Sequence, residues 1–351
     1  LSSVLTSQGV SPVPVPSPTL PPATATNVYV IAHGGEAVIV DAGWGGDAGI
    51  ALVHSHLERL GRPRVKALIL THSHPDHAGG APHMQQAFGC PIWAHPAAQD
   101  ILLSRYGVRI ERELHGGETV AVGRLHLDIL HAPGHAPDHL CLFVRERAVL
   151  LSGDNVVGDG STWVGPPDGD MTEYLRSLAM LKQLPARIIA PGHGPPLDEP
   201  SAKIDALIRR RLQREEEIVA LLVGGAATVE QLADALYLGK VPEKVMGMAR
   251  RTVLGHLLKL KKAGRVRELD DVRWRGEEDG ARGPDADRWA SDEFVGSAYN
   301  QSMAPGCLAW RAGVSAPGSA SLRQEPCAQG RIRMACLAGE ATLLDTLGRQ
   351  E

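Results

Sequence analysis

Between residues 27 and 190 the chain alternates short apolar runs with longer amphipathic stretches. NVYVIA (27–32) and EAVIV (36–40) are two such runs, separated by His33, Gly34 and Gly35, whose glycines supply the backbone freedom of a hairpin turn. Residues 65–70 (VKALIL), 91–94, 123–130, 139–144, 148–151 and 187–190 repeat the pattern and predict further strands, several of them buried. Helical spacing of apolar residues over 47–60, 77–88, 97–105 and 171–184 predicts amphipathic helices between them. Many short strands with a few helices predict a sheet-rich, layered α/β domain.

The pattern changes at both ends of this block. The opening VSPVPVPSPTLPPATAT is Pro-rich and predicts an extended, strand-like arm over 1–26 that runs across the domain surface. From Ser201 the periodicity becomes helical, with a long charged helix to residue 223 and shorter ones over 228–237 and 242–263. RVRELDDVRWRG then reads as two short strands about Asp270 and Asp271. Helices followed by a hairpin are the order of a winged-helix module. The expected organisation is therefore an arm over 1–26, a catalytic domain over 27–200, a winged-helix-like module over 201–276 and an irregular tail over 277–351.

Composition narrows the class. With 351 residues, 43% hydrophobic and 22% charged, the chain can form about two domains of ~150 residues and is neither collagen-like, wholly disordered nor multi-span. Aromatic residues make up only 4%, so Val, Leu, Ile and Ala must build the core. The five cysteines are odd in number and lack C-x-x-C spacing, which argues against a disulfide framework or zinc ribbon and for a reducing compartment. The first residues carry no basic, long apolar leader pattern, and no stretch approaches the length of a membrane span. The expected location is cytoplasmic, without a membrane partner and with oligomerisation left open.

Charge is segregated along the chain. The formal net charge of −4 resolves into −6 over 1–200, +7 over 201–267 and −5 over 268–351. The basic 201–267 segment could grip RNA phosphates through residues such as Arg250, Arg251 and Lys259, or pack as a cap near an active site; the cap is the preferred reading.

Histidine is segregated too: 14 of the 15 lie at or before His193. The strand VKALIL runs into Thr71-His72-Ser73-His74-Pro75-Asp76-His77-Ala78-Gly79-Gly80. Alternation at a strand end and the turn at Pro75 let His72, His74, Asp76 and His77 converge, and imidazole with carboxylate suits Zn²⁺, Mn²⁺ or Fe. His135 in HAPGHAPDH, Asp154 in LLSGDN and His193 in APGHGPP each follow a strand-like run. These seven suffice for two ions, with His72, His74 and His135 on one, Asp76, His77 and His193 on the other, and Asp154 bridging.

Together these motifs resemble the metallo-β-lactamase superfamily, whose hallmark THxHxDH stands at 71–77, and within it the branch of β-lactamase-like protein 2 and its bacterial relatives. The VDAG turn at 40–43, GHAPDH, SGD, MTEYLRSL and PGHGP support the resemblance. It implies an αββα sandwich with two zinc ions at one edge. Asp154 and His77 depart from the zinc β-lactamases that use a cysteine ligand, His74 from redox di-iron relatives, and the short Asp154-to-His193 spacing from the nucleic-acid-processing branch.

The resulting expectation is a di-zinc hydrolase in which a hydroxide between the ions, oriented by Asp76, cleaves an ester-type bond in a small acyl substrate: ester, thioester, lactone or β-lactam. The alternative, implied by the resemblance, is a single-strand-specific endoribonuclease. Ser161, Thr162 and Tyr174 are candidates for the substrate pocket, and Asp41 and His139 for support of the ligands. Asp138 could support a ligand or only pack; the remaining histidines match no ligand position, and Cys141 is expected buried and inert.

Overall fold

The computed structural model describes residues 1–19, 22–270 and 273–276. The N-terminal part runs α1 (Ser2–Ser7), β1 (Val10–Pro16), β2 (Ala25–His33), β3 (Glu36–Val40), α2 (Asp47–Arg59), β4 (Arg64–Ile69), α3 (Pro75–Ala78), α4 (Ala81–Phe88), β5 (Ile92–Ala94), α5 (Gln99–Ile101), β6 (Arg112–Glu113), β7 (Thr119–Val122), β8 (Leu125–His131), β9 (Leu140–Val144), β10 (Val149–Gly153), α6 (Met171–Lys182) and β11 (Ile188–Pro191). After it come α7 (Pro200–Val223), β12 (Ala227–Thr228), α8 (Val229–Tyr237), α9 (Met246–Lys262), β13 (Val266–Asp270) and β14 (Arg273–Gly276).

Alternate residues of a strand face opposite sides of its sheet, and here both sides are buried. In β2, Tyr29 and Ile31 enter one core while Val28 and Val30 enter another, and in β4 Ala67 and Ile69 divide from Leu68 in the same way. One sheet has the order β1-β2-β3-β4-β5-β6, antiparallel across its first three strands and parallel beyond. The other has the order β11-β10-β9-β8-β7, with only β10 and β11 parallel. Their inner faces meet through residues such as Ile31, Val40 and Ile69 against Leu127, Leu142 and Leu151. Helices α2 and α4 cover the outer face of the first sheet, and α6 with the start of α7 covers that of the second. This is the αββα sandwich, and burial on both faces explains why its strands read as continuous apolar runs.

Three local features differ from expectation. The Pro-rich opening is no surface arm: β1 pairs with β2 from Val10–Ile31 to Pro16–Ala25 and forms the edge of the first sheet. Pro12, Pro14 and Pro16 share one parity, so Val13 and Val15 point into the core while the missing N–H groups blunt the open edge. The helix expected over 77–88 breaks into α3 and α4 at Gly79 and Gly80. A Cβ on Gly80 would lie 2.2 Å from the Ala42 carbonyl oxygen, so the break admits the 42–45 loop. Over 97–105 the single expected helix is a short 3-10 turn, α5 and a π turn over Leu102–Tyr106.

The C-terminal module is a winged helix with its own core of Ile218, Leu222, Leu232, Leu236, Val253, Leu257, Leu260, Val266 and Trp274. Thr228 and Gln231 form a capping box at α8, and β12 joins β13 and β14 in a small sheet. The 277–351 tail, Asp271 and three of the cysteines lie outside the described residues. Among the described residues no helix is long and apolar enough to cross a membrane.

Helix α7 ties the two parts together. Its buried stripe sends Ile204, Leu207 and Ile208 into the sandwich and Ile218 and Leu222 into the module, with charged Arg211 and Glu215 between. Glu215 accepts from Lys259 Nζ at 2.8 Å and faces His256 Nδ1 at 3.3 Å, and the pair is only 2% and 6% exposed. Lys259, offered by the sequence for phosphate contact, is thus committed inside the module.

Removing Glu215 strands that buried ammonium. Glu215→Ala is expected to lose about 3–5 kcal/mol of stability, read from chemical denaturation. Burial opposes ionisation of the Glu215 carboxyl, but His256 and Lys259 hold it below its ordinary 4.5. Its stabilisation is therefore full above pH 4.5 and declines as the pH falls further, a slope the variant should lack. An unchanged denaturation midpoint would show that solvent already screens the pair.

Candidate metal centre

Each sequence-nominated ligand stands just beyond the end of a strand. Thr71, His72 and His74 follow β4, and Pro75 starts α3 so that Asp76 and His77 fold back over the strand end. His135 lies in the loop after β8, Asp154 directly after β10 and His193 after β11. Strand ends from both sheets therefore meet at one edge of the sandwich.

There the side chains converge in three groups, His72/His74/His135, His72/His77/Asp154 and Asp76/His77/His193, each with ligand atoms within 4.8 Å of one another. His74 Nδ1 lies 3.1 Å from His72 Nε2 and 3.0 Å from His135 Nε2. His77 Nε2 and His193 Nε2 stand 3.1 Å apart, with Asp76 Oδ2 3.2 Å from the latter. Asp154 turns Oδ1 to His77 Nε2 at 3.2 Å and to His193 Nε2 at 3.4 Å, and Oδ2 to His135 Nε2 at 3.7 Å.

The opposite ring nitrogens decide what those contacts mean. His72 Nδ1 donates to Thr71 Oγ1 at 3.0 Å, His77 Nδ1 to Asp41 Oδ2 at 2.8 Å, His135 Nδ1 to the Trp163 carbonyl at 2.8 Å and His193 Nδ1 to the Ala25 carbonyl at 2.9 Å. His74 Nε2 faces Asp168 Oδ2 at 3.6 Å. With the outer nitrogens of His72, His77, His135 and His193 carrying the proton, the inner ones are free to turn lone pairs toward a shared cation.

Charge points the same way. Burial opposes ionisation of Asp154, yet His77, His193 and His135 hold its carboxyl far below the usual range. Asp76, likewise opposed by burial and favoured chiefly by His77, is held at about 2. Burial should keep His77 neutral, but Asp154, Asp41 and Asp76 push its pKa well up, so the carboxylates call for positive charge at their centre. His72 is pushed well down, first by burial and then by His77 and His74. Asp154 Oδ1 is buried without a hydrogen-bond partner. The donor set therefore fits divalent cations, with room enough: a Cβ on Gly192 would lie 2.7 Å from that oxygen, so only glycine leaves the space open.

Residues 21–193 match the metallo-beta-lactamase superfamily. The chain carries a metallo-beta-lactamase superfamily domain. Residues 228–274 match the beta-lactamase associated winged helix domain. Over 232 residues the chain is 28% identical to an atrochrysone carboxyl ACP thioesterase of Aspergillus fumigatus, covering 63% of this chain and 70% of that one. It is 31% identical to a beta-lactamase-like protein 2 homolog of Caenorhabditis elegans, over 56% of this chain and 65% of that protein. A metallo-beta-lactamase family protein of Thermus thermophilus superposes with a TM-score of 0.65 at 26% identity, over 77% of this chain and 99% of that one.

Around the metallo-beta-lactamase cluster, Asp41 and His139 both touch ligands. Asp41 adopts a left-handed φ of 64° and accepts from Thr71 N at 2.7 Å and from the Thr71 hydroxyl as well as from His77. His139 Nε2 accepts from the Asp154 backbone N–H at 3.1 Å. Ser161 and Thr162 line a pocket over the centre, together with Thr19, His135, Asp154, Trp163 and His193. Tyr174 does not: it is fully buried beneath the loop, its hydroxyl donating to the Asn155 carbonyl at 2.9 Å. Asp138 is buried outside the ligand groups, and burial raises its carboxyl. Cys141 is a buried free thiol, and His95 stacks on His131 with ring centroids 4.0 Å apart, both outside the ligand groups.

Sequence reasoning missed Trp163, Asp168 and Arg211. Trp163 acts on His135 through its carbonyl, which no residue pattern encodes, and its indole donates to the Met248 carbonyl of α9 at 3.2 Å. Arg211 donates to the Thr162 carbonyl from the buried stripe of α7. A charged residue at an apolar position of a helix was its visible signal.

Because Asp41 fixes the proton on His77, Asp41→Asn is expected to weaken retention of divalent metal by about 10–100-fold. Chelator competition measures this, and an unchanged affinity would reduce Asp41 to a turn residue.

Proposed function

We propose that this chain is a di-metal hydrolase that cleaves acyl ester-type bonds, with a thioester as the foremost substrate. The observation that carries the reading is the double face of Asp154, one oxygen toward His77 and His193 and the other toward His135, with a complete His/Asp set on each side. His72, His74 and His135 would hold one ion, Asp76, His77 and His193 the other, and Asp154 both. Two histidine-rich sites favour Zn²⁺, with Mn²⁺ or Fe as alternatives. Divalent ions bound there supply Lewis acidity and bring water into its ionised form near pH 7.

The chain's own residues do the rest. Asp76, whose carboxyl is held at about 2 and so stays ionised, orients the attacking water. Asp41, Thr71 and the Trp163 and Ala25 carbonyls keep the imidazoles from turning. The pocket wall of Ser161, Thr162, Trp163 and Val157 receives the acyl group beside the centre. Hydrolysis adds water across the bond: the acyl carbon gains oxygen, the carbon–sulfur bond breaks and the leaving thiolate takes the remaining proton.

Similarity to a protein named as an ACP thioesterase supports the acyl choice. The competing reading, cleavage of single-stranded RNA, draws on the +7 charge over 201–267. Two of its cations are neutralised from outside the segment, Lys261 by Glu268 and Lys262 by Asp170, and Arg211, Lys259 and Arg265 are buried away from a polyanion. The buried free thiols of Cys90 and Cys141 support a reducing, cytoplasmic setting.

Metal analysis followed by a panel of thioester, ester, lactone, β-lactam and oligoribonucleotide substrates tests the reading. We expect two ions per chain and thioester turnover that falls by about 10²–10⁴-fold in Asp76→Ala. Cleavage of the oligoribonucleotide with no acyl turnover would replace this reading by the nuclease.

A further inference from the structure

A second concavity opens on the far side of the Ser161–Trp163 segment. It is a groove of about 230 Å³ between that segment, α7, α8 and α9, and it shares Ser161, Thr162 and Trp163 with the pocket over the metal centre. One wall is cationic, formed by Arg210, Arg211 and Arg214; the other is apolar, formed by Val241, Val245 and Ala249. Among the described residues no Asp or Glu lines it.

The three arginines are not equivalent. Arg214 pairs with Glu217 and lies 4.5 Å over the ring of Tyr237, which leaves it partly neutralised and fixed in place. Arg211 is only 6% exposed. It donates to the Thr162 carbonyl, and its Nε is buried without a hydrogen-bond partner. Arg210 is exposed and makes no hydrogen bond or ion pair to any described residue. Such a groove carries unspent positive charge beside an apolar wall. That suits a ligand with an anionic group on a largely apolar stem, because guanidinium groups fit phosphate oxygens closely.

Resting on the acyl-hydrolase reading above, we propose that this groove holds the phosphate of a pantetheine-linked acyl thioester while the thioester carbonyl lies at the His/Asp centre. The stem crosses Ser161–Trp163, the segment common to both cavities, and packs along Val241, Val245 and Ala249. The phosphate meets Arg210 at the open end, with Arg211 and Arg214 behind it. Coenzyme A and the prosthetic arm of a carrier protein share this phosphopantetheine chemistry. A polyanion fits less well, because residues 1–200 that surround the centre carry a net charge of −6 and repel repeated phosphates.

The test compares one acyl group on four carriers: coenzyme A, phosphopantetheine, pantetheine without phosphate, and N-acetylcysteamine. The metal-loaded full chain is expected to show a KM about tenfold lower for the two phosphate-bearing thioesters, with kcat little changed. Arg210→Ala, an exposed substitution outside the centre, should erase most of that difference while leaving turnover of the pantetheine and N-acetylcysteamine thioesters intact. Equal KM for the first two places recognition on the phosphopantetheine itself; a further gain for coenzyme A adds its nucleotide. Direct titration with coenzyme A, followed by calorimetry, should show binding weakened in Arg210→Ala.

Equal KM for all four thioesters, unaffected by Arg210→Ala, would overturn the subsite while leaving the hydrolase reading in place. Absence of turnover of any thioester would overturn both. Salt-sensitive binding of a single-stranded oligoribonucleotide that is lost in Arg210→Ala, with thioesters indifferent to the substitution, would assign the groove to RNA instead.

Discussion

Five imidazoles beside two ionised carboxylates are costly to bury together, and His72, His77, His135 and His193 are anchored at their outer nitrogens so that the inner atoms can share a cation. The fold provides the anchors from elements far apart in sequence. Ala25 of β2, in the first sheet, fixes His193 after β11 in the second, and Asp41 after β3 fixes His77 on α3. Asn27 and Tyr29, also on β2, donate to the Pro191 carbonyl at 2.9 Å each and hold the strand end that carries His193. Closing the two sheets on each other and assembling the centre are therefore one event. Residues of the inter-sheet core, such as Ile31 and Leu151, set the spacing that the ligands require.

How much of this was legible depended on whether the information was local. The run at 71–77 places four polar side chains on adjacent turns of one strand-to-helix junction, so its chemistry could be read without a fold. His135, Asp154 and His193 were legible because each follows a recognisable apolar run. The layers were legible because burial on both faces removes polar residues from the strands. What could not be read was carried by backbone or by distance. The Trp163 and Ala25 carbonyls have no residue signature, and the pairing of β1 depends on where its prolines put their missing N–H groups. Tyr174 was misplaced because its helix turns it into the core, where its hydroxyl meets the Asn155 carbonyl beneath the loop instead of the pocket.

Formal charge was the least transferable observation. A +7 segment reads as a surface for phosphates only if its cations face solvent. Glu215, on the same helical stripe as Ile218 and Leu222, draws Lys259 and His256 inward, and Arg265 is held bidentately by Glu216 at 3.0 Å. Alternating signs along a helix sequence cannot show which members meet across helices, so the net count could not show that Arg211, Lys259 and Arg265 are buried. Arg210 is among the cations left over, and it lines the groove that shares Ser161, Thr162 and Trp163 with the pocket over the metal centre.

That position gives the winged helix a role beyond covering the sandwich. Arg211 of α7 holds the Thr162 carbonyl and Met248 of α9 holds the Trp163 indole, while Trp163 in turn orients His135 and Thr162 donates to the Asp154 carbonyl. A shift of α7 or α9 would therefore move a ligand on each side of the centre. Helix α9 is also the helix that a nucleic-acid-reading winged helix would place in a groove. Here Thr252, Val253, His256, Leu257, Lys259 and Leu260 of that helix are buried, and Gly165 fits against the Arg251 backbone so closely that a Cβ there would lie 2.7 Å away. Most of that burial lies in the module's own core, and the remaining face of α9 meets the sandwich at Gly165 and Trp163, where it braces the segment that orients His135.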